Sequence, residues 1–288
     1  MKKKTNKLAI AKSILTRALI YIELLMVVVI VLYPILWVIG SSFNPINSVG
    51  RASIIPQNAT FDNYITLFTK TGYVSWFLNT GYIAVMTMVF SVLVNTLTAF
   101  VLARFRFKGR KAGMLLVMIL QTFPPYMSMT ALYMVALNFG MLDNLNMLVI
   151  IYVAVGIPIN IWLARGYLLN LPRSIDEAAY IDGASKLQVF ARIILPLSVP
   201  IVSFIALTSF MLPWMDYMLP RLLIGSVEKQ TVAMGLYNMV DIVKNQTQYS
   251  ITTFCAGAVL LAVPITILYA VFQRFLITGV ASGANKGE

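Results

Sequence analysis

The chain has 288 residues, of which 59% are hydrophobic and 11% charged, and its formal net charge is +12. A soluble domain carries about 25% charged residues, so this composition excludes an ordinary soluble enzyme and a disordered chain. With no histidine and a single cysteine, Cys255, the chain cannot form an internal disulfide or a zinc site of the cysteine–histidine type.

Six apolar stretches are long enough to cross a bilayer, which takes about 20 helical residues each. In hydrocarbon every backbone N–H and C=O group needs a partner within its own segment, so each stretch is expected to be a helix. The sequence therefore predicts an all-α integral membrane protein. The predicted spans are residues 18–40, 76–103, 113–137, 147–169, 197–220 and 254–276.

The rest of the chain is divided by these spans. We expect a tail at 1–17, a first transmembrane helix at 18–40 and a loop at 41–75. A core of five helices at 76–276 and a tail at 277–288 then complete the chain. The first apolar run is too long for a signal peptide, and no small-residue cleavage site follows it.

The basic residues are divided unevenly between the two sides of the predicted bundle. Of the 22 lysines and arginines, 17 fall on the side of the two tails and 5 on the opposite side. Because cytoplasmic loops are rich in lysine and arginine, both termini are predicted to be cytoplasmic. The membrane topology thus explains the positive charge. A nucleic-acid partner is not indicated, because the sequence lacks a basic surface interleaved with aromatic residues.

Neutral polar residues recur inside the predicted spans. They are equally compatible with hydrogen bonds between helices and with the lining of a path for an uncharged polar solute. In the third span, Pro124 and Pro125 should break or kink the helix. The polar residues are Thr87, Ser91, Asn95 and Thr98 in the second span, Gln121 and Thr122 in the third, Asn160 in the fourth, and Ser203, Thr208 and Ser209 in the fifth.

Ionisable residues are scarce in the spans. Glu23 lies about one turn into the first span and Asp216 late in the fifth. An ion-coupled carrier or a membrane-embedded enzyme needs such groups at mid-membrane depth, and no GxxxxGK[ST] phosphate-binding loop is present. We therefore expect no catalytic residue, no metal ion and no cofactor in this chain. A self-contained carrier or channel for small polar solutes remains the alternative.

Two segments on the side opposite the tails are longer than plain connections. Residues 41–75 contain Pro45 and Pro56, and residues 221–252 are rich in asparagine and glutamine. Both are compatible with solvated connectors and with a docking surface for an external partner.

The segment 171–196 reads LPRSIDEAAYIDGASKLQVFARIILP. Ser174 and Glu177 have capping-box spacing, which predicts a helix from Ile175 to a left-handed cap at Gly183. Ser185 and Gln188 repeat the box and predict a second helix, with a stripe formed by Leu187, Phe190, Ala191 and Ile194. Such a helix pair could pack on its own bundle or dock a partner, with Ala178 and Ala179 offering a close-approach surface.

This segment resembles the EAA signature of the membrane subunits of bacterial binding-protein-dependent ABC importers. The matching pattern is Glu177-Ala178-Ala179, three residues, Gly183, nine residues, Ile193, one residue and Leu195-Pro196. Every fixed position is present, on the predicted cytoplasmic side.

Other segments are similar to carbohydrate permeases of the maltose-transporter type. They are YPILWVIGSSFNP, WFLNTGYIAV with ARFRFKGRK, and the ending QRFLITGVASGANKG. One departure lies in the fifth span, where Pro213-Trp214-Met215-Asp216 replaces the Trp-Asn pair of many relatives.

The resemblance implies a type I ABC importer permease fold with six transmembrane helices and a coupling-helix loop between helices 4 and 5. It implies partners: cytoplasmic ATPase subunits, a second membrane permease subunit and an external solute-binding protein. The implied substrate is a carbohydrate, most narrowly a malto-oligosaccharide, and the implied location is the bacterial inner membrane. The residues implied in ATPase coupling are Glu177, Ala178, Ala179, Asp182 and Gly183; no sugar-contacting residue is assigned.

Overall fold

The computed structural model describes residues 2–45, 54–56, 58–122, 127–240 and 251–284, and side chains only between residues 12 and 276. Within these ranges the chain is helical apart from connecting turns, and it contains no β-strand. The helices are α1 Lys2–Ser42, α2 Asp62–Lys70, α3 Tyr73–Arg104, α4 Arg110–Leu120, α5 Met129–Asn138, α6 Leu145–Leu169, α7 Arg173–Ile181, α8 Lys186–Val189, α9 Leu195–Leu197, α10 Val199–Met215, α11 Met218–Leu223, α12 Val232–Val240 and α13 Ile251–Ala284.

Four helical segments in the described part of the chain are long and apolar enough to cross a membrane. They are Lys12–Ser42, Tyr73–Arg104, Leu145–Leu169 and Ile251–Leu276. A fifth is added if Lys186–Leu197 and Val199–Met215, which meet at a bend of 80°, count as one broken span. The expected all-α membrane architecture is therefore confirmed, whereas six spans are not established by helix length alone.

The third predicted span, 113–137, is not one continuous helix. The structure divides it into α4, with 11 residues, and α5, with 10 residues. At about 1.5 Å per residue, neither covers the roughly 30 Å of a bilayer core. Helix α4 ends at Leu120, and the two prolines predicted to break the helix, Pro124 and Pro125, lie outside the described residues.

The chain forms two compact units. The first comprises Met1–Thr71 and Asn245–Val259, and the second comprises Gly72–Lys244 and Leu260–Glu288. Helix α1 exposes its apolar side chains from Ile14 to Leu36, as expected of a helix whose surroundings are lipid or another subunit.

A buried amide organises the first unit. The Asn63 Nδ2 atom donates to the backbone carbonyls of Ser42 (2.9 Å) and Asn44 (2.6 Å). The Oδ1 atom of Asn63 accepts from the hydroxyls of Thr252 (2.9 Å) and Thr253 (3.2 Å). Because Asn63 is fully buried, this satisfied amide ties the end of α1, the start of α2 and the start of α13 together. The described part of 41–71 is therefore more than a solvated connector.

Helix α3 is the centre of the second unit, where it packs against α6 and α10. One apolar cluster lies where α3 begins and includes Ile83, Leu148 and Met234. A second lies where α3 ends and includes Phe100 and Ala179. The two clusters fix both ends of the three-helix core, and the segment 171–196 belongs to the second.

The polar face predicted on the second span lies inside this packing. Thr87, Ser91 and Asn95 are at most 1% exposed, and their side-chain polar atoms have no hydrogen-bond partner among the described residues. Asn160 of α6 and Ser203 of α10 are also buried. A path on the surface of this chain would therefore not be lined by the three α3 side chains.

Candidate coupling loop

Helix α7 begins earlier than its sequence pattern predicts. The predicted start at Ile175, with Ser174 as the cap, is wrong, because α7 starts at Arg173 and makes no side-chain cap hydrogen bond. Pro172 occupies the N-cap position with φ −58° and ψ 133°. Its ring favours this extended conformation and its missing N–H needs no partner, so the helix can begin directly after it. Glu177 is consequently not part of a capping box with Ser174.

The end of α7 agrees with the prediction at Gly183. This residue has φ +84°, a left-handed conformation that is costly for a residue with a side chain. The Gly183 N–H donates to the Tyr180 carbonyl (3.1 Å), and the Ala184 N–H donates to the Ala179 carbonyl (2.9 Å). These two bonds form a Schellman motif, which satisfies carbonyls that the helix end leaves without partners.

The second helix of the loop opens as predicted but continues differently. The Ser185 hydroxyl accepts from the Gln188 N–H (3.3 Å), and the Gln188 side chain accepts from the Ser185 N–H (2.7 Å). This confirms the capping box. After Val189, however, residues Phe190–Ile194 form a π-helical turn, in which the Leu195 N–H donates to the Phe190 carbonyl.

The π turn changes which side chains face the core. The predicted stripe of Leu187, Phe190, Ala191 and Ile194 is wrong in part. Leu187 is 69% exposed and Ala191 is exposed, whereas Val189 and Ile194 are buried. The π turn adds one residue to a single helical turn, so Ala191 and Ile194 no longer share one face, whereas Leu187 lies before this turn, in α8.

Four of the five residues implied in coupling lie on an exposed surface of the loop. Glu177, Ala178, Asp182 and Gly183 are all exposed, while Ala179 is 7% exposed and packs into the cluster at the end of α3. Ala179 therefore joins α7 to its own bundle instead of offering a surface to another protein.

Exposed apolar side chains extend this surface. Ile181 is 86% exposed and Leu187 is 69% exposed, one at the end of α7 and the other at the start of α8. Tyr180, between the alanines and Ile181, is 39% exposed. Aromatic and aliphatic side chains with a polar rim are typical of protein–protein contact sites. Sequence reasoning did not single out Tyr180 and Ile181, and it placed Leu187 in an apolar stripe, because the helix pattern alone did not show which face is buried.

A buried ion pair holds the loop from beneath. The Arg104 Nε atom, at the end of α3, lies 2.7 Å from the Asp176 Oδ2 atom, and the two side chains are 4% and 7% exposed. The same guanidinium donates from both terminal nitrogens to the Leu171 carbonyl at 3.2 Å. The Nε–Oδ2 contact is not aligned as a hydrogen bond, so its attraction is mainly electrostatic.

The pKa of the Asp176 carboxyl is raised above its usual value, and burial is the largest cause. Burial raises the pKa of this carboxyl, Arg104 and Arg173 lower it, and the neighbouring Glu177 raises it again. An arginine remains protonated at all ordinary pH values, so the ion pair depends on the carboxylate being charged. From the sequence alone, Arg104 is only one of the basic residues that orient the chain in the membrane. Its ion-pair partner could not be recognised, because it lies 72 residues away in the chain.

Aromatic contacts join the second half of the loop to α3. The Phe105 ring lies 5.5 Å from the Phe100 ring, and the Lys186 ammonium lies 5.0 Å above the Phe105 ring. The Phe190 ring, in the π turn, lies 5.1 Å from the Phe100 ring. Both halves of the loop are therefore mounted on the end of α3, which leaves the surface around Glu177 and Ile181 open.

The segment 221–252 is also more structured than its polar composition suggests. Residues 221–240 contain the end of α11 and all of α12, and they bury Leu223, Val232 and Met234, while 251–252 begin α13. Neither of the two sequence interpretations, solvated connector or docking surface, included this apolar anchoring. Residues 241–250 lie outside the described part.

Comparisons with known proteins agree with this architecture. The family model of the binding-protein-dependent transport system inner membrane component matches residues 95–281. The galactooligosaccharides transport system permease protein GanQ of Bacillus subtilis is 39% identical over 93% of this chain and 94% of its own length. The maltodextrin transport system permease protein MdxG of the same organism is 38% identical, over 93% and 95%.

A further relative and a solved structure extend the comparison. The maltodextrin transport system permease protein MalD of Streptococcus pneumoniae is 37% identical over 96% of this chain and 98% of its own length. A bacterial ABC transporter that imports the acidic polysaccharide alginate contains a chain with a TM-score of 0.77 and 25% identity, covering 88% of this chain and 93% of that one. The fold is that of an ABC importer permease, a transport subunit that is separate from the ATPase. The chain therefore belongs to the family of inner membrane components of binding-protein-dependent transport systems.

Proposed function

We propose that this chain is a transmembrane subunit of an ATP-driven carbohydrate importer, with malto-oligosaccharides as its substrate class. It forms the translocation path with a second permease subunit and receives the force of ATP hydrolysis through the loop 171–196. The observation that carries the proposal is the exposed surface of α7, supported from beneath by the Arg104–Asp176 ion pair. The permease proteins of galactooligosaccharide and maltodextrin systems, similar over nearly the whole chain, supply the substrate class.

The proposed topology has six spans with both termini in the cytoplasm. Five are α1, α3, α6, α10 and α13, and the sixth is formed by α4 and α5 together as one interrupted span. The 17 basic residues on the side of the tails support this orientation. The loop 171–196 is then cytoplasmic and lies within reach of an ATPase.

The coupling role follows from which parts of the loop are fixed and which are exposed. We assign the ATPase contact to Glu177, Ala178, Asp182 and Gly183, with Ala179 holding α7 on the bundle. When two ATPase subunits close on ATP, α7 moves with them, and the Arg104–Asp176 pair carries that displacement into α3. Interface-driven motion of a packed element is a common form of conformational switching.

The remaining partners are assigned by position. An external solute-binding protein delivers the sugar on the side opposite the coupling loop, where 41–75 and 221–252 lie. The tail 277–288 contacts the ATPase pair. Sugars present hydroxyls and apolar faces, which suit a neutral polar and aromatic path better than a charged one.

Affinity purification of the tagged chain from its native membrane tests the assembly. We expect mass spectrometry to find an ATPase, a second permease and, after cross-linking, an external sugar-binding protein. The competing function, a self-contained carrier or channel, is tested by reconstituting the purified chain alone in liposomes. Sugar entry in that preparation, without ATPase or binding protein, would replace the importer proposal.

A further inference from the structure

Asp143, in the turn between α5 and α6, binds a segment more than 80 residues later in the chain. Its Oδ1 atom accepts from the N–H groups of Gly225 (3.0 Å) and Ser226 (2.9 Å). Its Oδ2 atom accepts from the Ser226 hydroxyl and pairs with the Lys229 ammonium at 2.9 Å. The Asp143 N–H donates to the Leu223 carbonyl at 2.8 Å. Both carboxylate oxygens are therefore occupied by donors from a single short segment, 223–229.

The backbone of Asp143 is unusual as well. Its φ is +55°, and within the described ranges no other residue except glycine has a positive φ. This left-handed conformation is uncommon for a residue with a side chain and persists only when its surroundings hold it. The Lys229 ammonium also donates to the Asp143 backbone carbonyl at 2.6 Å. Side chain and backbone of Asp143 thus bind the same segment.

Charge reinforces this cluster. Hydrogen bonds from the side chain and N–H of Ser226, from Lys229 and from the Gly225 N–H together hold the pKa of the Asp143 carboxyl well below its usual range. The carboxylate therefore stays charged, and its charge-assisted hydrogen bonds stay formed, throughout the neutral and mildly acidic range.

Helix α3 provides a second anchor for the same region. The Asn79 side-chain amide donates to the carbonyls of Glu228 (2.7 Å) and Gln230 (3.0 Å). The Val232 N–H donates to the Thr80 hydroxyl at 2.9 Å. Since Asn79 and Thr80 lie near the start of α3 and Arg104 lies at its end, this region and the coupling loop are at opposite ends of one helix.

These anchors leave a small rigid surface exposed. In the 3₁₀ turn Val227–Lys229, the Val227 side chain is 66% exposed and Glu228 is exposed, although the backbone on both sides is held. We call residues 225–229 the outer turn. A fixed turn that exposes an aliphatic side chain has little conformational entropy to lose on binding, which favours a docking contact.

We propose that Asp143 is a positioning residue for the docking of the external solute-binding protein: it holds the outer turn so that Val227 and Glu228 form part of the docking surface. Two observations identify the solute-binding protein as the partner that docks on the outer turn. The chain belongs to a family whose transport depends on a binding protein, and the outer turn lies at the end of α3 opposite the ATPase-coupling loop. The inference rests on the proposed function, since it requires a complete importer.

The test uses the importer assembled in nanodiscs with its ATPase, second permease and binding protein. ATP hydrolysis is measured against the concentration of sugar-loaded binding protein. Asp143→Asn keeps the size of the side chain but removes its charge. We expect the half-saturating concentration of binding protein to rise about tenfold, because the outer turn loses its charge-assisted bonds. Hydrolysis without binding protein and the maximal stimulated rate should stay within about twofold of the parent importer.

Val227→Ser is the second variant, since it alters the outer turn without touching Asp143. It should also raise the half-saturating concentration of binding protein, because it removes an exposed apolar contact from the docking surface. Gly166→Ala, in α6, is the control, because a Cβ there meets no atom within 4 Å and should change neither value. A loss of stability alone would lower the maximal rate or the yield of complex without shifting the half-saturating concentration.

Unchanged half-saturation in both Asp143→Asn and Val227→Ser would overturn the inference. That result leaves the proposed function intact if the parent complex assembles and is stimulated by the binding protein. If the parent complex shows neither assembly nor stimulation, the proposed function itself fails.

Discussion

Within the segment 171–196, Gly183 has a left-handed backbone conformation that is costly for any residue with a side chain. Its φ of +84° and the two hydrogen bonds around it set the direction in which the chain leaves α7. The sequence indicated this cap, since a glycine between a helix and a second capping box is typical of a left-handed helix end. The partners of Asp176 and Asp143 could not be predicted, because no local pattern connects a charge to a residue more than 70 positions away.

The cost of a side chain at Gly183 is purely conformational. A Cβ there meets no atom within 4 Å, and the same is true of Gly166 in α6, which has an ordinary helical φ. Gly183→Ala should therefore weaken the loop by about 1 kcal/mol, whereas Gly166→Ala should be neutral or slightly stabilising. Hydrogen exchange of residues 173–189 in the assembled transporter measures the difference. Equal protection in the two variants would show that the left-handed cap does not stabilise the loop.

If Arg104 and Asp176 stabilise each other as an ion pair, the effects of replacing them on the free energy of unfolding should not be additive. Arg104→Met leaves a buried carboxylate without its partner and should destabilise the protein by about 3 kcal/mol or more. Arg104→Met combined with Asp176→Leu should cost less than either single change, because no charge is then buried alone. Arg106→Met is the control, since Arg106 is exposed and its change should cost under about 0.5 kcal/mol. Thermal unfolding in detergent measures all four variants, and additive effects of the two single changes would contradict the pair.

At the scale of helices, the lengths of the apolar stretches predicted where most of the long helices lie. Local hydrogen bonding and packing determined where the helices end and where they are interrupted. The predicted spans 76–103 and 147–169 correspond to α3 and α6 with ends shifted by at most three residues. A break in the third span was expected from Pro124 and Pro125, whereas the π turn at Phe190–Ile194 was not predicted by periodicity. A π turn depends on how the helix packs against its neighbours, here Phe190 against Phe100, and composition carries no signal for it.

The packing of α12 on α3 depends on one missing side chain. A Cβ on Gly235 would overlap the Trp76 indole, whereas one on Gly225 meets no atom within 4 Å. Gly235→Ala should therefore destabilise the second unit by about 1–3 kcal/mol, because the buried indole must move. Gly225→Ala should change stability by less than about 0.5 kcal/mol. Thermal unfolding of the two purified variants compares them, and equal melting temperatures would show that α12 does not need this close approach.

At the scale of the whole molecule, the family relationship identifies an inner membrane component of a binding-protein-dependent transport system. Composition and the EAA pattern were sufficient to predict an all-α membrane protein of the permease family, and the comparisons confirm that family. The role of Glu177, Ala178, Asp182 and Gly183 in contacting an ATPase remains a prediction, supported by their exposure. For the polar face of α3 the sequence left helix packing and the lining of a path equally open, and three of its members, Thr87, Ser91 and Asn95, lie in the interior of the bundle.

The most direct test of the central claim is ATP-dependent uptake of a malto-oligosaccharide into proteoliposomes that contain the complete importer. We predict uptake only with ATP and binding protein, and a loss of at least about tenfold in Glu177→Lys, because the reversed charge faces the ATPase contact. Glu177→Gln, which keeps the shape of the side chain, should lose less. Equal uptake by Glu177→Lys and the parent complex, with equal amounts of assembled subunits, would contradict the claim that this loop couples ATP hydrolysis to transport.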